Sequence, residues 1–161
     1  MRPDRVIEVL NSKSAQDLLH SPLLMRLAYL GPDSYPRAIP IGYVWDGRSF
    51  IVCTAEAAPK VQALRSNPRV ALTIDTETQP PHILLVRGRA SVEIVEGVPP
   101  EYLDASRKWI GPDQWDAFER QVRGLYKRMA RIRITPEWAK LIDFETTFPV
   151  AVQHLVAQPA P

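Results

Sequence analysis

Thr54, the five residues Ala55 to Pro59, and Lys60 form the segment with the most chemical promise. An apolar strand pattern ends at the threonine, and a helical pattern begins at Pro59. A hydroxyl, open backbone N–H groups, a helix start and an ammonium therefore meet within about one turn. Unpaired first-turn N–H groups and the helix dipole favour a negative charge, so this is an anion pocket suited to phosphate. Other chemistries find less support. His20, His82 and His154 stand far apart, without the paired ligand spacing of a metal site, and no metal is expected. There is no nucleophile elbow, phosphate-cradling glycine loop or Gly-x-Gly-x-x-Gly turn. Cys53 lies inside an apolar strand, where a thiol behaves as a small buried hydrophobe.

Two charged arrangements need weighing. Asp113, Asp116 and Glu119 recur every three residues, which suits a solvated helix face better than acid–base work. Arg120, Arg123, Lys127 and Arg131 recur at three and four, with Arg128 and Arg133 nearby. On a helix they would face one side and could meet phosphates of a nucleic acid or a cofactor tail. The plain alternative is a solvated face balanced by neighbouring acids.

These residues need a frame. The chain has 161 residues with 45% hydrophobic and 24% charged side chains, the profile of one folded globular domain. Lys and Arg number 20 against 18 Asp and Glu, a formal net charge of +2, which gives no general case for nucleic acid or a membrane surface. One cysteine excludes an internal disulfide. With no apolar run of membrane-span length and no signal-peptide core, a reducing, cytoplasmic setting is expected. Sixteen prolines argue against a long helical bundle.

The periodicity predicts a short first helix capped by Ser14 and ended by Ser21-Pro22, then extended segments over Leu23–Leu30, Tyr35–Trp45 and Ser49–Thr54. Pro59–Ser66 is helical and stops at Asn67-Pro68. Arg69–Asp75 and Leu85–Val95 alternate clearly, the second with Arg87, Arg89, Ser91 and Glu93 on a wet side. Gly88 within it signals a bulge or close backbone approach. Pro99–Met129 reads as two helices broken at Gly111-Pro112. Ala130–Thr135 and Lys140–Glu145 read as two strands joined tightly through Thr135-Pro136-Glu137-Trp138. Six or seven short strands make a mainly β chain with helices (α+β), arranged as a closed or nearly closed antiparallel barrel. The expected domain runs over 1–155, with a helical insertion about 99–129 and a disordered tail at 156–161.

A sequence resemblance sharpens this. Pro36-Arg37-Ala38-Ile39-Pro40-Ile41-Gly42-Tyr43-Val44-Trp45-Asp46-Gly47, then Phe50 to Thr54, then Lys60 to Leu72 with Asn67-Pro68-Arg69-Val70 at its centre, stand in order, followed by Arg87-Gly88-Arg89-Ala90. This series resembles the pyridoxamine 5′-phosphate oxidase-like superfamily, the split-barrel flavin and deazaflavin reductases. The resemblance implies a six-stranded antiparallel split β-barrel that forms a homodimer, with a cofactor at the subunit interface and a small organic molecule as substrate. It implies that backbone near Ile39, Pro40 and Ile41 faces the cofactor ring, that Thr54 and Lys60 hold the phosphate, and that Arg37 adds a phosphate or ribityl contact. FMN is the implied cofactor, with coenzyme F-420 as the alternative and the basic residues around Arg123 and Lys127 meeting its acidic tail. Oxidation of pyridoxamine phosphate itself is not implied. Ala58-Pro59 stand where those oxidases carry a Ser-Arg pair, and their C-terminal arginine motif is not evident.

The activity expected is hydride transfer by a flavin or deazaflavin oxidoreductase, with no side chain assigned as catalytic. Trp138 and Phe144 could wall the pocket, although strand aromatics usually belong to the core. Two other readings stand beside it: a non-catalytic flavin- or haem-binding module, and a small-barrel nucleic-acid binder, for which no stacking row is evident.

Overall fold

Proline opens four of the helices and one strand, while Pro40, Gly88, Gly124 and Pro136 lie inside elements. The computed structural model describes residues 1–144 and 146–156. Helices α1 (Pro3–Leu10) and α2 (Lys13–Leu19) precede strands β1 (Met25–Leu30), β2 (Pro36–Ile41), β3 (Val44–Trp45) and β4 (Phe50–Ala55). Helix α3 (Pro59–Ser66) crosses to β5 (Arg69–Asp75) and β6 (Ile83–Glu96). Helices α4 (Pro100–Ser106) and α5 (Pro112–Leu125) are inserted before β7 (Arg128–Ile142) and α6 (Val150–Val156). The expected tail at 156–161 falls almost wholly outside the described residues.

The strands form one antiparallel sheet in the order β2-β1-β5-β6-β7-β4-β3. Its two edges, β2 and β3, are consecutive in the chain and joined only by Gly42-Tyr43. Laid flat, seven strands would hold their edges about 29 Å apart, whereas two linking residues reach about 11 Å at most. The sheet must therefore roll until its edges approach. No hydrogen-bonded ladder joins β2 to β3, so the roll is open. The sheet has seven strands where the resemblance implied six, because the expected Tyr35–Trp45 strand breaks at Gly42-Tyr43.

Alternation fills the roll. Val70, Leu72 and Ile74 of β5 and Leu84, Val86 and Ala90 of β6 are buried, while Arg87 and Arg89 are exposed. With Leu27, Tyr43, Phe50, Val52, Ile132 and Ile134 they make the main core, which Val6 and Leu10 of α1 and Leu18 and Leu19 of α2 extend. A second cluster, Val98, Leu103, Trp115, Val122 and Met129, lies under the inserted helices.

Three expectations need correction. Ala130–Ile142 is not two strands with a turn but part of one strand, β7. The register shifts at Arg87/Gly88, so that Gly88 faces Pro136, Arg87 faces Trp138 and Glu137 is the extra residue. That is a β-bulge, a position that tolerates proline's missing N–H. A Cβ on Gly88 would collide with the Thr135 carbonyl, so the glycine is required. Secondly, α2 is capped in position by Ser12, not Ser14, and by no side-chain cap bond. The Ser12 hydroxyl instead donates back to the Val9 carbonyl at 2.7 Å. Thirdly, α1 precedes the helix anticipated as the first.

Candidate functional site

Pro59 occupies the first turn of α3, and Ala58 at the cap position offers no side-chain acceptor. Pro59 has no N–H and the Val61 N–H donates to the Ala58 carbonyl at 2.9 Å, which leaves the Lys60 N–H open at the helix start. Beside it the Lys60 ammonium donates to Thr54 Oγ1 at 3.3 Å. Lys60 is half-buried, and burial pulls its ammonium below the ordinary 10.5. Among the described residues no carboxylate pairs with it. A cation partly withdrawn from water and bonded to a neutral hydroxyl is electrostatically uncompensated, and an anion would compensate it.

Thr54 also opens onto a cavity of about 300 Å³, at the small end for ligand pockets. Ile41 and Gly42 bring the end of β2 to it, and Cys53, Thr54 and Ala55 the end of β4. The insertion supplies Tyr102, Ala105, Ser106 and Trp109, with Tyr126 and Met129 completing the wall. No lining side chain carries a formal charge at neutral pH. The Cys53 thiol is pushed up to about 12, first by burial and then by Glu101, so it stands as a neutral thiol rather than a nucleophile. Burial likewise raises the Tyr102 phenol, and Tyr126 adds to it. Their rings meet edge to face at 6.0 Å.

The structure brings together Ile41, Thr54 and Lys60. Ile39 and Pro40 lead along β2 toward the same cavity, Ile39 half-buried and Pro40 exposed. Because β2 pairs only with β1, backbone groups on its outer side have no strand partner, and Pro36 and Pro40 suit an edge. Arg37 is not brought in. It pairs with Asp33 at 3.0 Å, its guanidinium packs over Gly31, and four strand residues, about 13 Å, separate it from Ile41.

The basic stripe does not exist as a helical face. Helix α5 ends at Leu125, so Arg120 and Arg123 lie on it, whereas Arg128, Arg131 and Arg133 lie on β7. Most are already paired: Arg123 with Glu119 at 2.7 Å, Arg128 with Glu56 at 2.7 Å, Arg131 with Glu101 at 3.1 Å, and Arg133 with Asp46 at 2.6 Å. Trp138 lies under the Arg87 guanidinium, 4.5 Å from its ring centroid, and Phe144 packs on Phe148. Neither lines the cavity. The residues that sequence reasoning missed are Gly42, Tyr102, Ser106, Trp109 and Tyr126. Only Gly42 carried a signal, as the break after β2.

An open, rolled antiparallel sheet with a crossover helix beside an edge strand defines the split-barrel class of fold. The sequence profile of the pyridoxamine 5′-phosphate oxidase family matches residues 12–143, and the chain belongs to that family. No curated protein sequence matches it. Solved structures share the fold. An F-420 reductase is 24% identical with a TM-score of 0.61, over 78% of this chain and 94% of that one. The general stress protein 26 of Bacillus anthracis is 17% identical, TM-score 0.59, over 81% and 92%. A heme binding protein of Mycobacterium smegmatis is 15% identical, TM-score 0.55, over 81% of this chain and 53% of that one. Among the described residues no helix is long and apolar enough to cross a membrane.

Proposed function

We propose that this protein is a flavin- or deazaflavin-dependent oxidoreductase acting on a small organic substrate. One observation carries the reading: the half-buried Lys60 ammonium, bonded to the Thr54 hydroxyl at an uncapped helix start, opens beside a neutral cavity at the end of an edge strand. The residues present fit the cofactor's chemistry. The Lys60 ammonium, the Thr54 hydroxyl and the Lys60 backbone N–H at the start of α3 would hold its phosphate. The unpaired outer backbone of β2 around Ile39, Pro40 and Ile41 would meet its ring. When bound, such a cofactor supplies the hydride chemistry, and the protein supplies position and exclusion of water.

FMN is the cofactor we assign, with F-420 as the alternative. The name of the F-420 reductase neighbour supports the second, and the shared fold alone does not choose. Following the family, the working unit is a homodimer with the cofactor between two copies, in the cytoplasm. Pyridoxamine phosphate is not the substrate, since Ala58-Pro59 withhold a cation beside Lys60.

The test is a parallel equilibrium titration of the apo-protein with FMN and with F-420. Saturable binding of one, weakened about tenfold or more by Lys60→Ala, is expected, on the scale of a lost charge-assisted hydrogen bond. Binding of neither would overturn the reading. Turnover with a reductant and an electron acceptor then separates an enzyme from a carrier of flavin or haem.

A further inference from the structure

Trp109 stands at the cavity wall, and the proposed function leaves its ring unused. The indole is held at both ends. Its Nε1–H donates to the Pro22 carbonyl at 2.9 Å. Its far end, Cη2 and Cζ3, lies so close to Gly42 that a Cβ there would come within 2.7 and 2.8 Å. The neighbouring Lys108 fixes the same segment. Its ammonium, out of water and without a hydrogen-bond acceptor, lies 4.2 Å from the Tyr43 ring centroid. Three independent contacts thus seat residues 108–109 on the barrel.

Despite this anchoring, Trp109 remains 44% exposed, while the other cavity aromatics, Tyr102 and Tyr126, are half-buried. An indole with its polar atom satisfied and its position fixed presents apolar ring surface at almost no entropic cost. The cavity it borders carries no formal charge and offers the Tyr102 and Tyr126 hydroxyls as polar groups. That combination fits a flat, neutral ring bearing hydrogen-bond acceptors.

We infer that Trp109 is a stacking platform for a planar aromatic or quinone substrate, with Gly42 as the gap that lets the indole take its place. The assignment to a substrate rests on the oxidoreductase reading, whereas the platform is present in the chain without cofactor.

The experiment follows the ¹⁵N-labelled indole N–H signals of the full chain, alone and loaded with whichever of FMN or F-420 it binds. The probes are 2,3-dimethyl-1,4-naphthoquinone and a saturated bicyclic diketone of the same size. The signal that disappears in Trp109→Phe should shift with the naphthoquinone and not with the saturated probe. Affinity should fall about tenfold in Trp109→Ala, threefold or less in Trp109→Phe, and by an intermediate factor in Gly42→Ala, where the new methyl displaces the indole. Equal naphthoquinone affinity in Trp109→Ala, or an equal response to the saturated probe, would overturn the proposal. So would a loss of cofactor affinity in Trp109→Ala as large as the loss for the probe, which would give the ring to the cofactor. A Trp109 signal that responds to protein concentration alone would assign the surface to a second copy. The cofactor-free arm scores naphthoquinone binding by itself, so selective binding there with no affinity for FMN or F-420 would uphold the platform while overturning the cofactor reading.

Discussion

The Lys60 ammonium and the Thr54 hydroxyl, six positions apart, meet at 3.3 Å across the loop that turns β4 into α3. A hydroxyl can accept the ammonium's proton in a hydrogen bond but cannot neutralise it. Binding of an anion there depends on the lysine staying charged, and burial has lowered its pKa. Affinity for FMN or F-420 should therefore fall as pH rises through a value below 10.5, and Lys60→Met should flatten that profile. The same lowering makes the charged lysine a cost to the fold that disappears at higher pH, because the unfolded chain then binds more protons than the native one. Titrations at a series of alkaline pH values check the first expectation.

Gly88→Ala should destabilise the protein by about 3 kcal/mol, since its Cβ would meet backbone and not a movable side chain. Gly124→Ala, in open space on α5, should be neutral or stabilise by up to about 1 kcal/mol. Paired denaturant melts of the two variants supply the measurement.

Tyr43→Phe should cost about 1 kcal/mol, because the Leu19 carbonyl loses its donor while the Leu18 carbonyl keeps the Ser21 hydroxyl and N–H. The phenol is fully buried and reaches Leu18 O at 3.2 Å and Leu19 O at 3.1 Å. Burial raises its pKa well above 10.0. Above that pH the unfolded chain loses a proton that the native chain keeps, so stability falls with rising pH. Alkaline melts should show this fall in the wild type and a smaller one in Tyr43→Phe.

Cys53 should resist thiol reagents at pH 8 in the folded protein and react quickly in denaturant. Its folded thiol is raised from 9.0 to about 12, so the reactive thiolate is scarce. Between those two values stability falls with rising pH, and Cys53→Ala should remove that share. Labelling rates followed at fixed pH against denaturant check both states.

Local signals in the sequence were reliable where one element decides its own form. The Pro59–Ser66 helix and the Arg69–Asp75 strand match their expected bounds, because prolines bracket the helix and Val70, Leu72 and Ile74 alternate without interruption. Thr54 and Lys60 were legible for the same reason, being joined by a short loop. The continuity of β7 was hidden, since Pro136 reads as a stop until Gly88 is seen opposite it. Three- and four-residue spacing carried the basic stripe past Leu125, although the helix ends there and the next arginines belong to a strand. The cavity wall was hidden most deeply. Tyr102, Trp109 and Tyr126 reach Gly42 and Thr54 only because the insertion folds back over β4, a tertiary event with no mark in local periodicity.

Strand β4 hydrogen-bonds to β3 on one side and β7 on the other. During synthesis, a chain that has emerged only as far as Lys127 offers β4 no long partner, because Met129–Ile134 are still missing. Every other long strand, β1, β2, β5 and β6, already has a neighbour by then. The end of β4 that carries Cys53, Thr54 and Ala55 must wait for the last strand to be made. The lysine-threonine pocket and its cavity are therefore the part of this sheet that is born last, and a chain truncated before β7 should bind nothing there.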